Sequence, residues 1–144
     1  VARVLGIDYG LRRIGLAVSD PTATIARPLP TLLRRRGKRP PVQAILDLLA
    51  EHEIEEVVIG LPLSLEGEES DWTAEVRAFG DAVARRGAVE VHYLDERFTS
   101  ARAERAIRES GLRKKEREEK ERVDATAAVL ILQAYLDRRK YVAS

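Results

Sequence analysis

Hydrophobic positions along this chain change period part-way, and the change divides it into strands and helices. Arg3-Val4-Leu5-Gly6-Ile7-Asp8-Tyr9 is mostly apolar on both faces, which predicts a central strand. Gly10 punctuates the run, and Ile14-Gly15-Leu16-Ala17-Val18 resumes it so soon that an antiparallel hairpin is expected. A third extended stretch, Ile25 to Leu33, contains Pro28 and Pro30. Proline cannot donate to a ladder, so this strand belongs at an edge. Val42, Ile45, Leu46 and Leu49 then recur at helical spacing behind Pro40 and Pro41. Glu56-Val57-Val58-Ile59-Gly60 predicts a short buried strand, Trp72, Val76, Phe79 and Val83 a second helix, and Val89 to Leu94 a fifth strand. Thr99 or Ser100 can cap a third helix that Gly111 ends. Ala125, Ala128, Val129, Leu132 and Leu136 form the stripe of a final helix, which Asp124 is expected to begin. The intervening run from Arg113 to Arg122 is almost entirely charged, as a solvated helix or a mobile loop would be.

Three strands followed by alternating helices and strands predict an α/β sandwich. Its mixed five-stranded sheet has antiparallel first strands and right-handed later crossovers. The chain shows no internal repeat, and its 144 residues are read as one domain, 1–144.

Composition narrows the chemistry. Cysteine is absent, which excludes disulfide scaffolds, thiolate metal sites and cysteine nucleophiles. No apolar run reaches the ~20 residues a bilayer span needs, and no signal-peptide pattern is present, so no membrane partner is expected and the default location is cytoplasmic. Position 1 is Val, consistent with a missing initiator residue or short leader. Charged residues are 34% of the chain yet the net charge is only +1, so polyanion binding would have to rest on local basic patches and bound cations. With two histidines, His52 and His92, a histidine-built zinc site is not expected; carboxylates would hold a hard ion such as magnesium or manganese.

Three acids are candidates for such a site. Asp8 ends the central strand, where a carboxylate must be paired, hydrogen-bonded or metal-bound, or else caps the turn at Gly10. Glu96 directly follows the fifth strand, and its alternative role is an ion pair with Arg97 or Arg102. Asp124 precedes the last apolar stripe, where Asp is also an ordinary helix-start residue. Ligands of open α/β sheets collect at the carboxyl ends of strands, and three carboxylates there could hold two divalent ions about 3.5–4 Å apart.

The motifs resemble those of one family. Leu5-Gly6-Ile7-Asp8-Tyr9-Gly10 with Arg13-Ile14-Gly15-Leu16-Ala17-Val18-Ser19-Asp20 looks like the opening hairpin of the YqgF/RuvX family. Gly60-Leu61-Pro62-Leu63 with Gly67, then Asp95-Glu96-Arg97-Phe98-Thr99-Ser100, then Val123-Asp124-Ala125 with its downstream apolar run, resemble that family's next three motifs in order. The resemblance implies a ribonuclease H-like fold, a carboxylate triad on Asp8, Glu96 and Asp124, and a nuclease acting in maturation of the 16S rRNA precursor. Holliday-junction resolution is the family's older assignment, and ribosomal particles are candidate partners. Departures are mild: Tyr9 stands where Phe is frequent, Arg12 where Lys is common, and Leu11 replaces a small polar residue of the turn.

Arg12 and Arg13 flank the Asp8 turn and could contact phosphates, although Arg13 could instead pair with Asp20 or another acid. Arg34, Arg35, Arg36, Lys38 and Arg39 form a dense patch with no acid among them, which favours polyanion contact over a merely solvated loop. Trp72 and Phe79 read as core, Tyr9 as a weak base-stacking candidate and His92 as structural. Two rivals share parts of the pattern. Actin-like kinases have a similar glycine hairpin but need two such domains. Non-catalytic modules of the same fold often lack the acids that are all present here.

Overall fold

The structure of the protein, a computed structural model, describes residues 3–34, 39–101 and 117–143, with side chains described for 3–34, 39–97, 99–101 and 126–139. The elements run β1 (Arg3–Tyr9), β2 (Arg13–Ser19), β3 (Ala26–Leu33), α1 (Val42–Glu51), β4 (Ile54–Leu61), α2 (Asp71–Gly87), β5 (Glu90–Asp95), a 3-10 turn (Glu96–Phe98) and α3 (Arg117–Ala143). The sheet order is β3-β2-β1-β4-β5. β1 therefore occupies the centre and the proline-bearing β3 an edge, as the pattern predicts. The β1–β2 and β2–β3 pairs are antiparallel, while β4 lies parallel to β1 and β5 parallel to β4.

Alternation along β1 sends its side chains to two different cores. Leu5, Ile7 and Tyr9 join Ile14, Leu16, Val57 and Ile59 under α1 and α2. Val4 faces the other way with Ala17, Val58 and Leu94, packed by Ala127, Ala128, Ile131, Leu132 and Leu136 of α3. Helices thus cover both faces, which is why β1, β2 and β4 read as near-continuous apolar runs. α2 starts at a capping box in which Ser70 Oγ accepts from Thr73 N and Thr73 Oγ1 accepts from Ser70 N.

One boundary differs from the sequence reading. α3 begins at Arg117, not at Asp124, so Asp124 lies within the helix. The charged run from 117 to 122 is rich in Glu, Lys and Arg, residues of high helix propensity, and it extends the helix toward its N-terminus. The helix expected between Thr99 and Gly111 lies outside the described residues beyond Ala101, whose N–H donates to Thr99 Oγ1. Among the described residues, no helix is long and apolar enough to cross a membrane.

Candidate active site at the carboxyl rim

Parallel β1, β4 and β5 end together, and Asp8 and Glu96 sit at that rim. Asp8, next to last in β1, is fully buried. Its face follows from Gly6, two residues earlier: a Cβ there would stand 2.6 Å from Leu132 Cβ and 3.1 Å from the Ala128 carbonyl oxygen. The absent side chain lets α3 lie directly on the strand, and by alternation Asp8 shares that α3-facing side.

Glu96 reaches the same face from two strands away. The 3-10 turn that carries it starts where β5 stops, with Asp95 Oδ1 accepting from Arg97 N at 3.0 Å. Only 2% of Glu96 is exposed. A Cβ on Gly60 would stand 3.1 Å from Glu96 Cδ and 2.6 Å from Ile131 Cδ1, so the carboxyl group lies over the bare Cα of β4. The β1–β4 register pairs Ile7 with Ile59, and one step further along both strands brings Gly60 alongside Asp8. The glutamate thus crosses the end of β4 toward β1, and Gly60 is the residue that leaves it room.

Asp124 is on α3, one helical turn before Ala128, the residue seated against Gly6. α3 runs antiparallel to β1 and β4, because its later residues Tyr135 and Arg139 meet Glu56 near the start of β4. Its turns before Ala128 therefore extend toward the carboxyl rim. The side chain of Asp124 lies outside the described residues.

The alternatives for the acids resolve differently. Arg97 pairs with Asp95, Nη2 to Oδ2 at 2.6 Å, and Nη1 also donates to the Leu65 carbonyl at 3.1 Å, while Arg102, the other partner expected for Glu96, lies outside the described residues. That guanidinium ties the loop after β4 to the turn carrying Glu96, a role the sequence reading missed. Asp20 follows the far end of β2, at the opposite rim from Asp8. Its carboxylate accepts from Thr24 N at 2.8 Å, Ile25 N at 2.9 Å and the Thr22 hydroxyl. Those bonds, the Ile25 N–H foremost, hold its pKa below the usual carboxylate range. The whole length of β2 separates Arg13 from Asp20, which excludes their pairing.

Of the basic candidates, Arg12 is exposed and Arg13 half-buried on the turn after Asp8. Arg34 turns inward, Nη1 donating to the Gly10 carbonyl at 2.9 Å with its guanidinium over the Tyr9 ring. Arg35, Arg36 and Lys38 lie outside the described residues. Tyr9 is core, not a stacking platform: it is 2% exposed and stacked on Phe79 and Trp72.

The amino rim holds a second polar group. Glu56, Glu90 and His92 offer ligand atoms within 4.8 Å of one another, a spacing a divalent ion accepts. Glu56 there already accepts from the Tyr135 hydroxyl and, at 3.2 Å, from Arg139 Nη1. Burial, followed by the bond to Glu56, raises the Tyr135 phenol pKa.

A family model described as "RuvX: Holliday junction resolvase" matches residues 2–138. The chain belongs to the RuvX family. A relative from Koribacter versatilis (strain Ellin345), a pre-16S rRNA nuclease by name, is 48% identical over 137 residues, covering 95% of this chain and 88% of its own. One of the same name from Sulfurihydrogenibium sp. (strain YO3AOP1) is 39% identical over 143 residues, covering 98% and 94%. Among solved structures, T. thermophilus RuvC in complex with a Holliday junction substrate matches with a TM-score of 0.57 at 16% identity, covering 97% of this RuvX-family chain and 96% of its own. The fowlpox virus Holliday junction resolvase gives 0.55 at 10% identity, covering 95% and 99%. What these structures share with the RuvX-family chain is the ribonuclease H-like fold.

Proposed function

We propose that this RuvX-family chain is a metal-dependent nuclease, one catalytic domain over residues 1–144, that hydrolyses phosphodiester bonds in the precursor of 16S rRNA in the cytoplasm. The observation that carries the reading is the burial of Asp8 and Glu96 on one face of the sheet at its carboxyl rim. Two carboxylates on rigid elements, over a glycine that clears the space, make a donor set suited to magnesium or manganese. Asp124 is the third proposed ligand, approaching from α3. The relatives' names support a nuclease, and the retained acids favour catalysis over a non-catalytic binding module.

In this reading Asp8 supplies acceptor oxygens from the end of β1, where sheet hydrogen bonding fixes the backbone, and Glu96 from the 3-10 turn after β5, which Asp95 caps. Divalent ions held by them supply the charge that activates water and stabilises the leaving oxygen. Arg12 and Arg13 hold the flanking phosphates, and Arg35 and Arg36 extend the contact.

The test is incubation of the purified protein with labelled rRNA precursor, single-stranded RNA and a four-way DNA junction, each with magnesium or manganese. The parent should cut the rRNA precursor, and Asp8→Asn should abolish cutting while keeping the parent's circular dichroism. Undiminished cleavage by that variant would return Asp8 to turn capping. Preferential cutting of the junction would replace the RNA substrate with branched DNA.

A further inference from the structure

Arg34 opened the run of cations that composition assigns to polyanion binding, yet its bonds point into the protein. Its backbone N–H donates to the Arg12 carbonyl at 2.7 Å, joining the end of β3 to the β1–β2 turn. Its Nη1 donates to the Gly10 carbonyl at 2.9 Å. Its guanidinium carbon stands 4.8 Å from the centroid of the Tyr9 ring. One residue thus grips the last residue of β1 and two residues of the β1–β2 turn.

The ring beneath is itself fixed. Tyr9 stacks on Phe79 at 4.3 Å and 24°, and on Trp72 at 5.5 Å and 19°. Tyr9 thus has ring contacts with Phe79 and Trp72 of α2 and, separately, with the Arg34 guanidinium 4.8 Å from its centroid. Tyr9 is the neighbour of Asp8, and Arg12 and Arg13 follow on the same turn.

We infer that Arg34 is a positioning residue: it clamps the β1–β2 turn onto the aromatic stack, and so sets Asp8, Arg12 and Arg13 for the proposed reaction. The inference rests on the nuclease reading for its catalytic consequence, but its structural half stands apart from it. A planar guanidinium can lie flat on a ring while an edge N–H reaches a carbonyl. A lysine ammonium is a compact point charge and cannot reproduce both contacts. A phosphate ligand, by contrast, is substantially replaced by lysine.

Arg34→Lys and Arg34→Gln separate the two roles. A positioning residue predicts that both variants lower kcat by about tenfold, since small misplacements near reacting groups are costly. KM and the salt dependence of binding should stay at the parent's values. If Arg34 instead binds phosphate, Lys restores activity, while Gln raises KM and lowers the log–log salt slope by roughly 0.7–0.9. Two readouts need neither metal nor nucleic acid. Amide exchange across Gly10 to Arg13 should quicken in both variants, and the emission of Trp72, the single tryptophan, should shift. Unchanged exchange and emission would overturn the clamp. A parent that cleaves nothing sinks the nuclease reading, and exchange and emission then decide the clamp by themselves.

Discussion

At the amino rim of the sheet, the Glu56 side chain keeps 14% of its surface exposed and accepts from Tyr135 and Arg139 of α3. At the carboxyl rim, Asp8 is fully buried and Glu96 nearly so, both on the face that α3 covers, with a strand glycine making room for Glu96. The first arrangement fastens a helix to a sheet: a carboxylate is placed where a phenol and a guanidinium meet it. In the second, bare backbone at Gly60 gives space to a carboxylate that a smaller apolar residue could have filled at lower desolvation cost. Backbone strain follows the opposite distribution. Among the described residues, three non-glycine residues have positive φ, Ala23, Glu53 and Ala88, and all lie in connections at the amino rim.

The sharpest way to break this comparison is at Gly60. Gly60→Ala drives a methyl into Ile131 and the Glu96 carboxyl, so Glu96 must move. Cleavage of the rRNA precursor should fall by about 10²-fold, the scale of a 1 Å displacement. Retention of full activity would mean that the position of Glu96 is immaterial.

Manganese titration sharpens it next. Binding to the native state alone raises stability by about 2.7 kcal/mol at a hundredfold excess over Kd. Thermal unfolding of the parent should show that rise, Glu96→Gln should lose most of it, and Glu56→Gln should keep it. Glu56→Gln should nonetheless unfold more easily, by about 1–3 kcal/mol, because its partners lose a charged acceptor. Loss of the manganese effect in Glu56→Gln, with Glu96→Gln unaffected, would move the metal to Glu56, Glu90 and His92. The smallest effect belongs to the strained connections. Ala88, at φ 51, ends α2 in the left-handed region. Ala88→Gly should gain from a few tenths to about 1 kcal/mol by calorimetry while leaving cleavage alone. Altered cleavage there would show that the two rims are coupled.

Most of the fold was legible because its signals are local. Near-continuous apolar runs, the Gly10 break and the prolines of β3 each act within a few residues, and they yield the central β1 and the edge strand. The start of α3 was not, because Asp124 carries an ordinary helix-start signal while the preceding Glu, Lys and Arg residues carry a stronger helical one. The site was legible as residue types but not as geometry. Asp8 at a strand end is a one-dimensional fact; the burial of Glu96 depends on a glycine 36 positions earlier in a neighbouring strand. The bonding of Arg34 was not legible for a related reason. Five cations within six positions describe charge, whereas its bonding follows from β3 ending beside the β1–β2 turn.

The seating of α3 on Gly6 also gears the helix to the sheet. Ala128 and Leu132 mesh with a strand position that has no side chain, so the helix can neither roll nor slide without leaving that notch. Each residue advances the helix by 1.5 Å and turns it by about 100°. The angular setting of position 124 is therefore inherited from the notch four residues away. Adding or removing a single residue between 124 and 128 would leave the seat engaged and rotate everything before it by more than a quarter turn.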